Sequence, residues 1–301
     1  MPHPLQGEHA DSGAVSYPRA ARWEPATVLT ELARATGIRL VDEGWCQGGQ
    51  IGACYVRWPD GHRSVLTAGP PGGPAARRAA DLAAVARAAG VPAPRYELVA
   101  DLPSVTAVVQ ELLPGTVPVT VTRRTVASMV EVMGRCRGLL ADRTELPAPS
   151  LFLRADGPGF CLHGAMATYD QRTARLLAVI EEAGAELPEH LPGGDLVHFD
   201  LHPENVLVDE AGEVTGVVDW DGAARSNGAL DLMTVRFDLA RRAPGLGDWV
   251  GRLLREAVPE TVRLACWAHM SLRLVDWAIR EQTADDVSAW LHVATEVRTE
   301  L

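Results

Sequence analysis

The chain contains no lysine: all 28 of its Lys-plus-Arg positions are arginine. That absence excludes a GxxxxGK[ST] phosphate loop, a lysine nucleophile and a lysine Schiff base. Positive charge is in deficit as well, with 39 acidic residues against those 28 and a net charge of −11. Such a balance argues against nucleic acid as the main partner, since phosphate binding needs a basic surface. It suits a cationic small molecule or a basic peptide. Aromatic residues make up 5% of the chain. Cysteines are few and scattered (Cys46, Cys54, Cys136, Cys161, Cys266), with no CxxC pair, which points to reduced thiols in a cytoplasmic protein. No apolar run reaches the roughly 18 residues of a membrane span, so no membrane role is expected. The first residues, MPHPLQGEHADSG, show neither the basic nor the apolar region of a secretory signal.

What is present is 301 residues, 47% of them hydrophobic, enough for one large domain or two lobes. Residues 1–22 are polar and broken by Pro and Gly, and read as a mobile tail. PATVLTELARAT predicts a helix with Pro near its start. IRLVDEGW, ACYVRW and SVLTA read as strands, the last two joined by PDGH, a hairpin signal. AARRAADLAAVARAA then predicts a helix stopped by Gly90 and Pro92, and YELVA and TAVVQELL two further strands. From Val119 the periodicity becomes helical in VASMVEVMGRCRGLLAD, YDQRTARLLAVIEEAGAE and the whole of 247–300. LVHFDL, VLVDE and VTGVVDWD are the strand signals there. The expected fold class is therefore α+β and bilobal. A five-stranded antiparallel sheet with one helix (residues 23–111) precedes a mostly helical lobe (112–301).

The densest polar cluster is HFDLHPENVLVDEAGEVTGVVDWD, residues 198–221. Zinc is disfavoured there, because His198 and His202 lack a Glu in HExxH position and Pro203 opposes a helix. The other donors, Asp200, Asn205, Asp219 and Asp221, are oxygens, the ligand type of magnesium, which also takes phosphate oxygens. Capping of strands and turns is the undemanding alternative. Against it, carboxylates at the ends of apolar strands are costly without partners.

HFDLHPEN (198–205) followed by VVDWD (217–221) resembles the catalytic and metal segments of the aminoglycoside phosphotransferase and choline kinase family, small-molecule relatives of protein kinases. GALDL (228–232) resembles the family's downstream segment. The resemblance implies a kinase-like fold, Asp200 as catalytic base, and Asn205 and Asp219 as magnesium ligands. It also implies His198 and Asp231 as structural support for the loop. Asp221 would face the acceptor or the metal. QELLPG (110–115) resembles the lobe hinge, where main-chain groups of Glu111 and Leu113 would meet the base of the nucleotide. The loop CQGGQIG, with Gly48 and Gly49, would close over phosphates.

Two expected groups are missing. Thr67 stands where the family's third strand carries a lysine, and Ala79 or Ala80, with Asp81 nearby, where the next helix carries its glutamate. Losing both is coherent, since either charge alone in a dry cleft is destabilising. Three replacements are open: an arginine (Arg57, Arg63, Arg77 or Arg78), backbone N–H groups, or loss of nucleotide binding. On the acceptor side, Trp267, His269, Asp276 and Trp277 share one helical stretch and read first as core; Asp276 and the Asp285–Asp286 pair are candidates for a cationic acceptor.

The expected activity is an ATP- and Mg2+-dependent O-phosphotransferase, with GTP not excluded. Its partners would be a nucleotide and a small hydroxyl-bearing acceptor such as an aminoglycoside-like antibiotic. The alternatives are a Ser/Thr kinase of a precursor peptide, with a partner protein in that pathway, and a pseudokinase binding module.

Overall fold

Pro25 opens helix α1 (Pro25–Thr36) where its missing N–H costs nothing, and Gly37, at φ 76°, ends it in a left-handed turn. The structure, a computed structural model, describes residues 23–46, 52–72 and 74–301. After α1 come β1 (Val41–Trp45), β2 (Cys54–Arg57) and β3 (Arg63–Gly69), then α2 (Ala75–Ala88), β4 (Tyr96–Asp101) and β5 (Thr106–Glu111). The five strands form one antiparallel sheet in the order β1-β2-β3-β5-β4, as the strand pattern predicts. Alternation divides the sheet into two faces. Ser64, Leu66 and Ala68 of β3 are buried, and Leu66 packs in one cluster with Val28 and Leu32 of α1. Val65, Thr67 and Gly69 lie on the opposite face and are half-buried.

Helix α2 sits between two sheet strands in the chain, yet its buried side belongs to the other lobe. Ala79, Leu82, Ala83 and Ala86 share a core with Trp220, Leu196 and Met129. Ala79 is 1% exposed, so a glutamate there would be a buried charge facing apolar atoms.

The second lobe contains α3 (Arg123–Cys136), α4 (His163–Tyr169), α5 (Gln171–Glu186), α6 (Ala229–Arg242), α7 (Pro244–Ala257), α8 (Glu260–Glu281) and α9 (Ala284–Thr299). Asp170 and Thr173 close a reciprocal capping box on α5. Two small antiparallel pairs lie inside this lobe: β6 (Asp195–Val197) with β9 (Ala224–Ser226), and β7 (Val206–Val208) with β8 (Val214–Val217). Two sequence readings need correction. The strand in LVHFDL ends at Val197, because Phe199 adopts φ 67° and breaks it. The long helical stretch is three helices, interrupted at Val258–Pro259 and at Gln282–Thr283. Helix α6 and strand β9 carried no reading of their own.

The chain crosses between lobes at Pro114–Thr116. Thr116 exchanges both backbone hydrogen bonds with Val208 of β7, at 3.1 and 2.8 Å. Val217 N–H donates to Pro92 O at 2.8 Å, tying the α2–β4 connection to β8. Among the described residues, no helix is long and apolar enough to cross a membrane.

Candidate active site

The site is built on the loop that leaves β6. Asp231, in the first turn of α6 and 4% exposed, accepts the N–H of His198 through Oδ2 and that of Phe199 through Oδ1, both at 2.8 Å. Burial pushes its carboxyl up to about 7, with the two N–H donors opposing that rise. His198 is buried as well, and burial lowers its ring to about 4, so it is neutral. Its Nε2 lies 2.9 Å from Val218 O, and its ring meets Trp220 edge-on with centroids 4.9 Å apart. Val218 N–H in turn donates to Asn205 O at 3.0 Å. The peptide leading into Asp219 is thus held on both sides by the 198–205 segment.

Asp200 projects from this loop with its side chain 34% exposed. Oδ2 accepts from Asn205 Nδ2 at 3.1 Å and has His202 Nε2 at 3.6 Å. Oδ1 accepts from Arg273 Nη2 at 3.0 Å. Burial opposes ionisation of Asp200, but the His202 ring and the Arg273 guanidinium outweigh it and hold the carboxyl well below its usual range. His202 is raised in its turn; burial works against that, and its contact with Asp200 prevails.

Asn205 Nδ2 also donates to Asp200 O at 2.9 Å, which turns the amide protons inward and leaves Oδ1 as its outward ligand atom. Asp219 takes φ 64°, a left-handed conformation held where β8 ends. Its side chain meets solvent along the cleft while protein encloses its other sides. That enclosure first, and the charges of Asp221 and Asp200 second, push its carboxyl up to about 6. Among the described residues, no side chain or N–H donates to the carboxylates of Asp219 or Asp221. An amide oxygen beside carboxylates that repel one another and form no ion pair among the described residues is a donor set that fits Mg2+. Across the cleft, the Tyr96 hydroxyl of β4 is raised by burial and then by Asp221 and Asp219, a neighbour the sequence reading did not name.

The nucleotide side is sparser. Thr67 is half-buried on the cleft-facing side of β3, paired with Val108. Three of the four candidate arginines are occupied elsewhere: Arg57 and Arg63 both bind Glu43, and Arg77 binds Asp101 at 2.7 Å. Arg78 is exposed and has no ion-pair partner among the described residues. Gly48 and Gly49 lie outside the described residues. At the hinge, Glu111 N–H donates to Arg95 O at 2.8 Å and its carboxylate pairs with Arg87 at 2.9 Å, which leaves its main-chain carbonyl as the group the hinge expectation concerns. Leu113 is half-buried against Gly216, where a Cβ would lie 3.1 Å from Leu113 Cδ1.

On the acceptor side, Asp276 is fully buried, accepting from Leu162 N–H at 2.7 Å and from Arg280 Nε at 2.9 Å. Its carboxylate is spent on holding loop to helix, which corrects the expectation that it meets an acceptor. Asp286 is likewise engaged, by Thr283 and by Arg241 at 2.9 Å. The residue that sequence reasoning missed is Arg273. It continues a polar stripe on the otherwise apolar α8, His269–Arg273–Asp276–Arg280, whose spacing of four, three and four places all of them on one face. A second carboxylate group, Asp248, Glu296 and Glu300, brings its oxygens within 4.8 Å of one another. The fully buried Arg236 already binds Glu296 and Glu300, so that cluster has its cation.

A fold of this order, with two carboxylates and an amide gathered by the β6–β9 pair and the β7–β8 hairpin, is that of a kinase-like phosphotransferase. The model of the phosphotransferase enzyme family matches residues 46–267, and the chain belongs to that family. Among solved structures, a thermostable mutant of aminoglycoside phosphotransferase APH(4)-Ia in complex with AMP-PNP and hygromycin B superimposes with a TM-score of 0.66 at 16% identity, covering 91% of this chain and 98% of that one. Amicoumacin kinase hAmiN gives 0.60 at 13% identity, over 93% and 94%. Macrolide 2'-phosphotransferase MphH from Brachybacterium faecium gives 0.50 at 21% identity, over 89% and 97%. These likenesses establish the fold. A curated relative, uncharacterized protein YcbJ of Bacillus subtilis, is 44% identical over 43 residues, a match that spans 14% of each chain.

Proposed function

We propose that the protein is an ATP- and Mg2+-dependent O-phosphotransferase acting on a hydroxyl of a small molecule, of the kind an aminoglycoside-like antibiotic presents. The observation that carries this reading is the suspension of Asp200. Its loop N–H groups are bound by Asp231, and its carboxylate is fixed by Asn205 and Arg273 while remaining partly open. A carboxylate kept ionised and held at one orientation can orient an attacking hydroxyl and accept its proton as the phosphoryl group transfers. Asn205 and Asp219 would hold Mg2+, which supplies charge neutralisation for the phosphates when bound. Similarity to structures solved with AMP-PNP and antibiotics supports the donor and the class of acceptor. Five cysteines, all free, support a reducing, cytoplasmic setting.

The test is transfer from labelled ATP across a panel of aminoglycosides, other antibiotics and Ser/Thr peptides, with Asp200→Asn beside the wild type. The expected outcome is Mg2+-dependent labelling of a small hydroxyl compound, lowered about 100- to 10,000-fold in the variant. Labelling of peptides alone would reassign the acceptor. Neither turnover nor nucleotide-dependent thermal stabilisation would make the protein a pseudokinase, the reading that Thr67 favours.

A further inference from the structure

Arg273 is the only side chain among the described residues whose guanidinium is hydrogen-bonded to a carboxylate of the cleft trio Asp200, Asp219 and Asp221. It comes from the middle of α8 and reaches the loop with two nitrogens. Nη1 donates to Phe199 O, and Nη2 donates to Asp200 Oδ1 at 3.0 Å. Phe199 is a non-glycine residue at φ 67°, a conformation that persists only where its surroundings impose it. Here they do so from both sides: Asp231 takes the N–H of Phe199, and Arg273 takes its carbonyl. The same guanidinium then sets the next side chain, so one planar group fixes the turn of the loop and the orientation of its carboxylate together.

We propose that Arg273 is the positioning residue for phosphoryl transfer, locking Asp200 so that its open edge faces the acceptor hydroxyl. This assignment rests on the phosphotransferase reading above. In the transfer, the acceptor oxygen forms its bond to the γ-phosphorus. The bond from that phosphorus to the β–γ bridging oxygen breaks, its electron pair leaves on ADP, and the hydroxyl proton passes to Asp200. The role calls for arginine in particular. Two acceptors on neighbouring residues are met at once by a rigid fork, whereas the ammonium of a lysine is a point charge on a flexible stem.

The test compares wild type, Arg273→Met, Arg273→Lys and Asp200→Asn in steady-state kinetics, with thermal melts to show that each is folded. Both Arg273 variants are expected to lose about 100-fold in kcat, the scale of a base displaced by about 1 Å, with KM for MgATP and acceptor within about threefold of wild type. Added guanidinium ion is expected to restore part of the kcat of Arg273→Met and none of that of Asp200→Asn. An active wild type together with a folded Arg273→Lys or Arg273→Met of undiminished kcat overturns the proposal and leaves the phosphotransferase reading standing. A loss confined to KM for the acceptor overturns it too, since that would make Arg273 a binding residue. A wild type that transfers phosphate to nothing overturns the phosphotransferase reading, and this assignment falls with it.

Discussion

The backbone N–H of His198 donates to Asp231 Oδ2 at 2.8 Å, joining β6 to α6 across 33 residues of chain. The other oxygen of the same carboxylate takes Phe199 N–H at the same distance. Asp231 therefore satisfies two consecutive buried donors that no strand partner reaches, because β6 has already ended. In Asp231→Asn one of those donors would face an NH2 group. The expected loss is about 1–3 kcal/mol, the cost of an unpaired buried donor. Urea unfolding at pH 8 measures it, and kcat should fall with it as the loop loosens. An unchanged unfolding midpoint would show that the loop is held by something else.

Gly115 answers to geometry of a different kind. It sits at φ 100°, where the chain crosses between lobes, and a Cβ there would lie 2.3 Å from Thr215 Oγ1 and 2.8 Å from Val208 O. The threonine hydroxyl can rotate away; the carbonyl belongs to β7 and cannot. Gly115→Ala should therefore combine backbone strain of about 1–3 kcal/mol with displacement of the Thr116–Val208 bridge. A thermal melt reads the first effect. Weaker nucleotide binding by calorimetry reads the second, because the same crossing sets how the sheet lies over β7 and β8.

Much of this site is written in contiguous sequence. Asp200, Asn205 and Asp219 fall within a 20-residue span, and short spacing in a strand–turn–strand segment leaves few ways to arrange them. Asp231 is legible only through the resemblance that GALDL (228–232) carries, not through its helix. Arg273 lies 73 residues from the carboxylate it binds, and only tertiary packing brings them together. Helix α2 is an instructive case in the other direction. Its existence was plain from Ala-rich periodicity, but not which lobe its buried face would join. Ala79 turns out to pack on the helical lobe's core, so the missing glutamate is a matter of helix docking as much as of charge. The breaks at Pro259 and at Thr283 were legible in principle, the second as a Thr-x-x-Asp capping box, and were masked by unbroken apolar periodicity around them.

Thr67 gives the vacancy on the nucleotide side a direct test. It is half-buried on the cleft face of β3, and a lysine there could run its stem along the sheet and carry its ammonium toward the phosphates. Thr67→Lys should leave stability within about 0.5 kcal/mol, as a partly open site allows. It should also tighten MgATP binding about tenfold, equivalent to about 1.4 kcal/mol. Isothermal titration of wild type and variant decides it. Equal affinities would mean that the phosphates already have their cation in this chain.

His269 predicts the acid limb of stability. Its ring is 5% exposed on α8, with Nδ1 3.0 Å from Leu151 O and a perpendicular contact with the Phe199 ring at 6.3 Å between centroids. Burial lowers it from the ordinary 6.5 to about 4, so the folded ring stays neutral over a range where the unfolded chain binds a proton. The unfolded state then holds more protons between pH 6.5 and 4, and stability falls as pH drops through that window. A full shift of this size is worth about 3 kcal/mol at most. His198, lowered to about 4 by burial, acts in the same direction. His269→Asn keeps an amide N–H for Leu151 O but cannot take up the proton. Between pH 7 and pH 5 the variant should therefore lose about 2 kcal/mol less than wild type in urea unfolding, whatever its stability at pH 7. Parallel losses in the two proteins would mean that the ring is already protonated within the fold, and that the Leu151 carbonyl holds an imidazolium.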